Sequence, residues 1–167
     1  MRFIGIDPGK YGNVCILYEY KTIEIYKTPL NGKEYDIQRM HGILKNLQNT
    51  SEEIYLIIER ATAMPKQGSV SMFSFGMGFG IWLGLINALE ISHAIVHPRT
   101  WTKYLLEGAP GEGKDRAFNV AKRLFPNWKP KINNKGNISK IEREKADAIL
   151  LAEFARRTYS GEIKCKS

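Results

Sequence analysis

A short, largely apolar run, Arg2-Phe3-Ile4-Gly5-Ile6, ends on a carboxylate, Asp7, with Pro8-Gly9 directly behind it. Such a run, closed by a tight turn, reads as a buried strand that delivers one acid to its C-terminal end. The pattern returns at Ile54-Tyr55-Leu56-Ile57-Ile58, which leads straight into Glu59. The second run is apolar without alternation, so it is expected inside a sheet and buried on both faces. A helix cap or turn role would account for Asp7, but not for Glu59. A third acidic element near the C-terminus carries Glu144 and Asp147. Three residues apart on a helix means about 60° of separation, so they share a face, whereas Glu142 lies about 140° from Asp147 and is the weaker candidate. The apolar stretch Ala148-Ile149-Leu150-Leu151-Ala152 would anchor that helix on the sheet. The plain alternative is a surface pair of acids relieved by Lys140, Arg143 and Lys145.

The remaining elements follow from periodicity and punctuation. Strands are expected over 2–6, 13–20, 23–28, 54–58 and 93–97, with Tyr20-Lys21-Thr22 as a hairpin connection. Helices are expected over 35–48, 70–89, 99–106, 114–125 and 141–159. Residues 60–69 and 108–113 read as loops, and the polar, basic stretch 126–139, rich in Asn and Gly, as a mobile one. Three strands in a meander, followed by two that join through crossover helices, predict an α/β fold with a mixed five-stranded sheet flanked by helices. The 167 residues predict one domain over 1–160 and a frayed polar tail over 161–167.

The segment from Val70 to Leu89 has no charged residue and is long enough to cross a bilayer. Its serines, Asn87 and glycines, set between soluble-looking elements, favour a central helix instead, buried in the core or in a dimer interface. Gly76, Gly80 and Gly84 recur at the spacing of closely packed helices. Phe73, Phe75, Phe79 and Trp82 are read as packing residues of this helix rather than as a base-stacking platform. No membrane is expected as a partner. Cys15 and Cys165 are too few for a disulfide framework and too far apart for a zinc site, which implies a reducing compartment. Asp7 interrupts any apolar leader, so no signal peptide is expected. His41, His93 and His97 lack partners at ligand spacing and are read as structural.

Four carboxylates held close together repel, and two divalent cations would neutralise them. Mg²⁺ suits such oxygen ligands and keeps positions for water and phosphate. A pair of metals about 4 Å apart supports in-line attack on a phosphodiester. The net charge of +8 points to a polyanionic partner. Lys66, Arg99, Lys103, Lys114, Arg116, Lys122 and Arg123 are the leading candidates among the cations, which also include Lys129, Lys131, Lys135 and Lys140 and most of which are read as phosphate contacts. Lys114 has the strongest case, because it follows a glycine loop and opens a helix.

Ile6-Asp7-Pro8-Gly9, Ile57-Ile58-Glu59 and Glu144-Lys145-Ala146-Asp147-Ala148 together resemble the acidic motifs of RuvC-type Holliday-junction resolvases. Met64-Pro65-Lys66-Gln67-Gly68 and the following Gly/Phe-rich helix are most similar to the phage and organellar branch. The resemblance implies a ribonuclease-H-like fold, a homodimer, and Mg²⁺-dependent paired nicking of four-way DNA junctions. It implies Asp7, Glu59, Glu144 and Asp147 as ligands for two Mg²⁺ ions, with Mn²⁺ as a substitute, and no small-molecule cofactor. Lys103 and Lys114 fall where relatives carry basic residues near the scissile phosphate, which makes Lys114 a catalytic candidate. The implied location is the cytoplasm, at a nucleoid or a viral replication site. Two departures stand out: relatives commonly carry Asp or His where Glu144 stands, and Thr62 occupies the place of their aromatic wedge, with Met64 the nearest large apolar side chain. A ribonuclease H or exonuclease on simple duplexes, and a non-catalytic DNA-binding module, are the competing readings. An actin-like or sugar-kinase-like nucleotide binder would need two lobes and a second glycine-rich loop.

Overall fold

The computed structural model describes residues 1–62 and 68–163. Met64, Lys66 and Cys165 lie outside the described residues. Strands β1 (Arg2–Ile6), β2 (Asn13–Leu17) and β3 (Ile23–Lys27) form the expected antiparallel meander. A small hairpin of β4 (Leu30–Asn31) and β5 (Glu34–Tyr35) follows, then helix α1 (Ile37–Gln48). Strand β6 (Ile54–Glu59) joins β1 in parallel. Helix α2 (Ser69–Ala88) carries the chain over to β7 (His93–Val96), which is parallel to β6. Helices α3 (Pro98–Leu106), α4 (Gly113–Leu124) and α5 (Lys140–Tyr159) complete the fold, and the main sheet runs β3-β2-β1-β6-β7.

Side-chain alternation splits the core into two layers. Ile4, Ile6, Leu56 and Ile58 face α1 and α2, where they meet Met40, Leu44, Trp82 and Ile86. Ile57, flanked by Phe3 and Tyr55, faces the layer built by α3, α4 and α5. Gly5 sits where α5 crosses β1: a Cβ there would collide with the backbone of Ala148 and Ala152. The helix therefore rests directly on the strand.

The strand expected to run to Tyr20 stops at Leu17. The chain reverses through a 3-10 turn at Glu19–Lys21, with Tyr20 and Lys21 at φ of 57° and 59°. The helix expected from residue 35 begins at Ile37, because the Asp36 side chain accepts from the Arg39 N–H at 3.0 Å and caps it. Residues 34–35 instead pair back across Gly32. The chain past Gly161, expected to fray, is held through Ile163, which is buried and donates its N–H to the Arg157 carbonyl.

The larger correction concerns α2. Only Gly78, Trp82 and Ile86 are buried, whereas Val70 is 82% and Phe73 72% exposed. The helix is long and apolar enough to cross a membrane, yet its buried face belongs to the core under the sheet. It is not a central core helix. Gly78 is the glycine that packs inward, against Tyr35 and the Pro8 carbonyl, while Gly76, Gly80 and Gly84 have nothing within 4 Å. The glycine stripe faces outward.

Replacing Gly5 by Ala should force α5 off β1 and cost about 3 kcal/mol. Urea denaturation followed by circular dichroism would read this as a lowered midpoint.

Candidate active site

Register places the first two acids. Ile6 pairs with Ile58 across the parallel β1–β6 junction, so Asp7 and Glu59 leave adjacent strands at the same level. Alternation then assigns both to the face that carries Gly5 and Ile57, which is the face covered by α5. On α5, Glu144 and Asp147 lie four residues before Ala148 and Leu151, whose backbone and Cβ contact Gly5. Two strand residues advance about 6.6 Å and one helical turn about 5.4 Å. The step from Gly5 to Asp7 thus matches the step from the α5 contact to its two acids.

The turn after Asp7 is tightly built. Gly12 donates to the Gly9 carbonyl, and a Cβ on Gly12 would strike the Asp7 carbonyl. The Gly9 N–H reaches Asp7 Oδ1 at 3.4 Å. Trp101 on α3 donates from Nε1 to Glu59 Oε2 at 2.5 Å, which fixes the second carboxylate. Lys114, second residue of α4, pairs with Glu144 Oε1 at 3.3 Å, and Lys140 approaches the same oxygen at 4.0 Å.

The electrostatics are unfavourable for ionised acids. Burial pushes Asp7 up to about 6, against the pull of the Gly9 N–H and Lys114, with Glu144 adding repulsion. Glu59 rises to about 7, again mainly from burial and against the Trp101 hydrogen bond, with Asp7 and Asp147 adding repulsion and Lys114 a weaker pull. Asp147 rises to about 7 from burial and the Asp7 charge. Each keeps part of its surface open. Asp7, Glu59, Glu144 and Lys114 line one cleft of about 830 Å³, walled by Thr62, Phe75 and Pro98 among others. Asp147 borders a neighbouring recess beyond Lys114.

Among the described residues, no three His, Cys, Asp or Glu side chains are already drawn into a ligand set. The chemistry of the donors nonetheless fits a hard divalent cation: oxygen only, mutually repelling, three of the four partly open, and three of the four without an ion pair among the described residues. Asp7, Glu59, Glu144 and Asp147 are the residues that would hold it.

The candidate phosphate contacts divide into groups. Arg99, Lys103 and Arg116 share a shallow depression beside the site. Arg116 also donates from Nε to the Gly111 carbonyl at 2.8 Å, so part of its guanidinium holds the glycine loop. Lys122 is half-buried and donates to the Trp128 carbonyl at 3.2 Å. Arg123 is exposed on the same helix, and Lys66 lies outside the described residues. His97 caps α3 by accepting from the Arg99 N–H, and His93 contacts the Ile91 carbonyl, both structural roles. Sequence reasoning missed Trp101: an indole in a short helix gives no sign of which carboxylate it will meet. It also missed Glu142 as a structural group. Glu142 is buried, accepts from the Lys131 N–H at 3.2 Å, and pairs with Lys145 at 2.5 Å.

No protein-family model matches the sequence, and no curated protein does. Solved structures do match. Thermus thermophilus RuvC in complex with a Holliday junction substrate superposes with a TM-score of 0.61 at 18% identity, over 97% of this chain and 96% of that one. A second Thermus thermophilus RuvC structure gives 0.61 at 19% identity over the same shares. The fold is that of RuvC. At this identity the likeness carries architecture alone: the RuvC fold spans 97% of the chain.

The raised acids make a prediction about the metal-free protein. Their unfolded values lie near 4, so between about pH 4 and 7 the folded form holds protons that the unfolded chain has released. Stability should therefore fall as pH rises through that window and level off above it. Asp7→Asn removes one charge at nearly constant volume. It should stabilise the metal-free fold by on the order of 1–3 kcal/mol at pH 8 and by little at pH 4. Thermal melts at the two pH values in EDTA test this.

Proposed function

We propose that the protein is a divalent-metal-dependent endonuclease that resolves four-way DNA junctions as a homodimer, each subunit nicking one strand. The observation that carries this reading is the convergence of Asp7, Glu59, Glu144 and Asp147 on one end of the sheet with Lys114 as the cation they share. Two Mg²⁺ ions held by those acids would supply the activated water and the stabilisation of the leaving 3′-oxygen. The protein's own groups do the positioning. The Gly9 N–H and the Trp101 indole hold one oxygen each of Asp7 and Glu59, and Glu59 Oε1 has no protein partner among the described residues. Lys114 is half-exposed, so its ammonium can turn from Glu144 to a phosphate oxygen. Arg99, Lys103 and Arg116 extend that positive surface along the flank.

The homodimer reading rests on α2. A large exposed apolar surface marks an interaction site, and its outward glycines would let a second helix approach closely. A two-fold pair presents two identical acidic sites, which suits a substrate with two strands to cut.

Labelled four-way junction, linear duplex and RNA–DNA hybrid, each with and without Mg²⁺, form the direct test. Paired nicks in the junction, dependent on Mg²⁺ and lost in Asp7→Asn while binding persists, are expected. Equal cutting of simple duplex or hybrid would move the reading to a general ribonuclease-H-like nuclease. Gly80→Leu should weaken self-association and yield singly nicked junctions first. Analytical ultracentrifugation finding a wild-type monomer at micromolar concentration, with paired cutting intact, would remove the dimer.

A further inference from the structure

Between α4 and α5 the chain forms an element that neither the sheet nor the acidic cleft requires. Ile132 bridges Ile138, the Asn133 N–H donates to the Asn137 carbonyl at 2.9 Å, and Gly136, at φ 77°, donates to the Asn133 carbonyl at 2.9 Å. The Asn133 side chain accepts from the N–H groups of Lys135 and Asn137. The tip is a self-satisfied hairpin whose residues 131–137 are all exposed. The tip is thus held by its own hydrogen bonds, while Ile138 at its base packs on the core.

Its composition is one-sided. From Pro126 to Lys140 the chain has four lysines and no acid. Among the described residues the ammonium groups of Lys129, Lys131 and Lys135 form no ion pair, although the protein pairs other solvent-accessible cations readily, as with Arg143 and Asp115. Three unpaired lysines on a narrow hairpin repel one another, and a polyanion relieves this.

The base of the hairpin is firmly placed. Trp128 is buried edge-on against Phe118 at 5.4 Å, and its carbonyl is held by Lys122. The Lys131 N–H is held by buried Glu142, in the first turn of the helix that carries Glu144 two residues later. At the hairpin's end Lys140 reaches Glu144, the carboxylate that also holds Lys114. Positive charge thus continues from the cleft through Lys114 and Lys140 to the hairpin.

We propose that the Lys129–Ser139 hairpin is a second DNA contact, which grips the phosphate backbone of the duplex arm leaving the cleft. This rests on the nuclease reading only for the identity of the polyanion. Phosphate contacts from Lys129, Lys131 and Lys135 position the arm without reading its sequence. Glu142 is the positioning residue that fixes the hairpin relative to the acids.

The test measures binding without cleavage: Asp7→Asn protein in EDTA, with labelled four-way junction and linear duplex, over a range of salt. Lys129→Ala, Lys131→Ala and Lys135→Ala together should flatten the slope of log affinity against log salt by about two to three and weaken binding roughly tenfold at low salt. A control triple, Lys27→Ala, Lys33→Ala and Lys45→Ala, removes the same charge from exposed positions elsewhere and should leave the slope unchanged. Thermal melting of both triples should match the parent, since all six side chains are exposed. An unchanged slope for the hairpin triple, or equal losses for the two triples, overturns the proposal. A hairpin effect seen equally on junction and duplex, without junction preference in the parent, sustains this contact and removes the junction reading instead.

Discussion

The backbone contact between α5 and β1 is the constraint on which the rest of the structure depends. A side chain of any size at Gly5 would lift the helix from the sheet. With none, α5 lies against β1, β2 and β6 and buries a continuous face from Ala146 to Ala155. The two layers of the core are then fixed in thickness, and the first turns of α5 overhang the C-terminal ends of β1 and β6. The position of Glu144 and Asp147 relative to Asp7 and Glu59 is a consequence of that contact, not of any interaction among the acids. Left to their own charges the four would separate. The hydrophobic layer beneath holds them together, which is how a fold can store an electrostatic conflict for a cation to resolve.

The acids of α5 show which carboxylates are structural and which are left for something else. Glu153 is fully buried, yet Arg156 and Arg157 both donate to it, and its carboxyl is held below the ordinary range despite burial. Glu142 is buried and takes a backbone N–H and Lys145. Asp147, on the same helix, has neither a donor nor an ion pair among the described residues, and burial drives it to about 7. The chain thus gives Glu153 and Glu142 close cationic partners of their own, whereas Asp7, Glu59 and Asp147 have no ion pair among the described residues and Lys114 and Lys140 both go to Glu144.

Much of this was legible from the residues. Apolar runs ending at Asp7 and Glu59 fixed two strand ends, and helical spacing put Glu144 and Asp147 on one face. Those inferences held because each rests on a local period and on burial that a strong hydrophobic run enforces. What escaped was decided by tertiary contact. The β4–β5 hairpin has only two residues a side, too few for a period. The apolar composition of α2 suggested a helix buried in the core or in a dimer interface, since composition cannot separate a face buried by the chain itself from one left exposed on it. Glu142 looked like a discarded ligand candidate because its angle relative to Asp147 was visible, while the hairpin backbone it holds was not.

The glycines of α2 carry the last step. Gly78 is pressed between Tyr35 and the Pro8 carbonyl, and the Phe75 ring lies 3.4 Å from where a Cβ on Gly9 would sit. The inner face of the helix therefore seats the turn that presents Asp7. Tyr35 closes the arrangement by donating its hydroxyl to the Ser74 carbonyl at 2.9 Å. Gly76, Gly80 and Gly84, on the outer face, are bare. A second subunit docked there would bear on a helix that is itself the wall of the acidic cleft. The spacing of two such sites would then be set by rigid packing within each subunit and one helix–helix contact between them, with no flexible linker in the path. An enzyme that must cut two strands at fixed separation would need that geometry, and in the proposed dimer the inward and outward glycines of one helix would provide both halves of it.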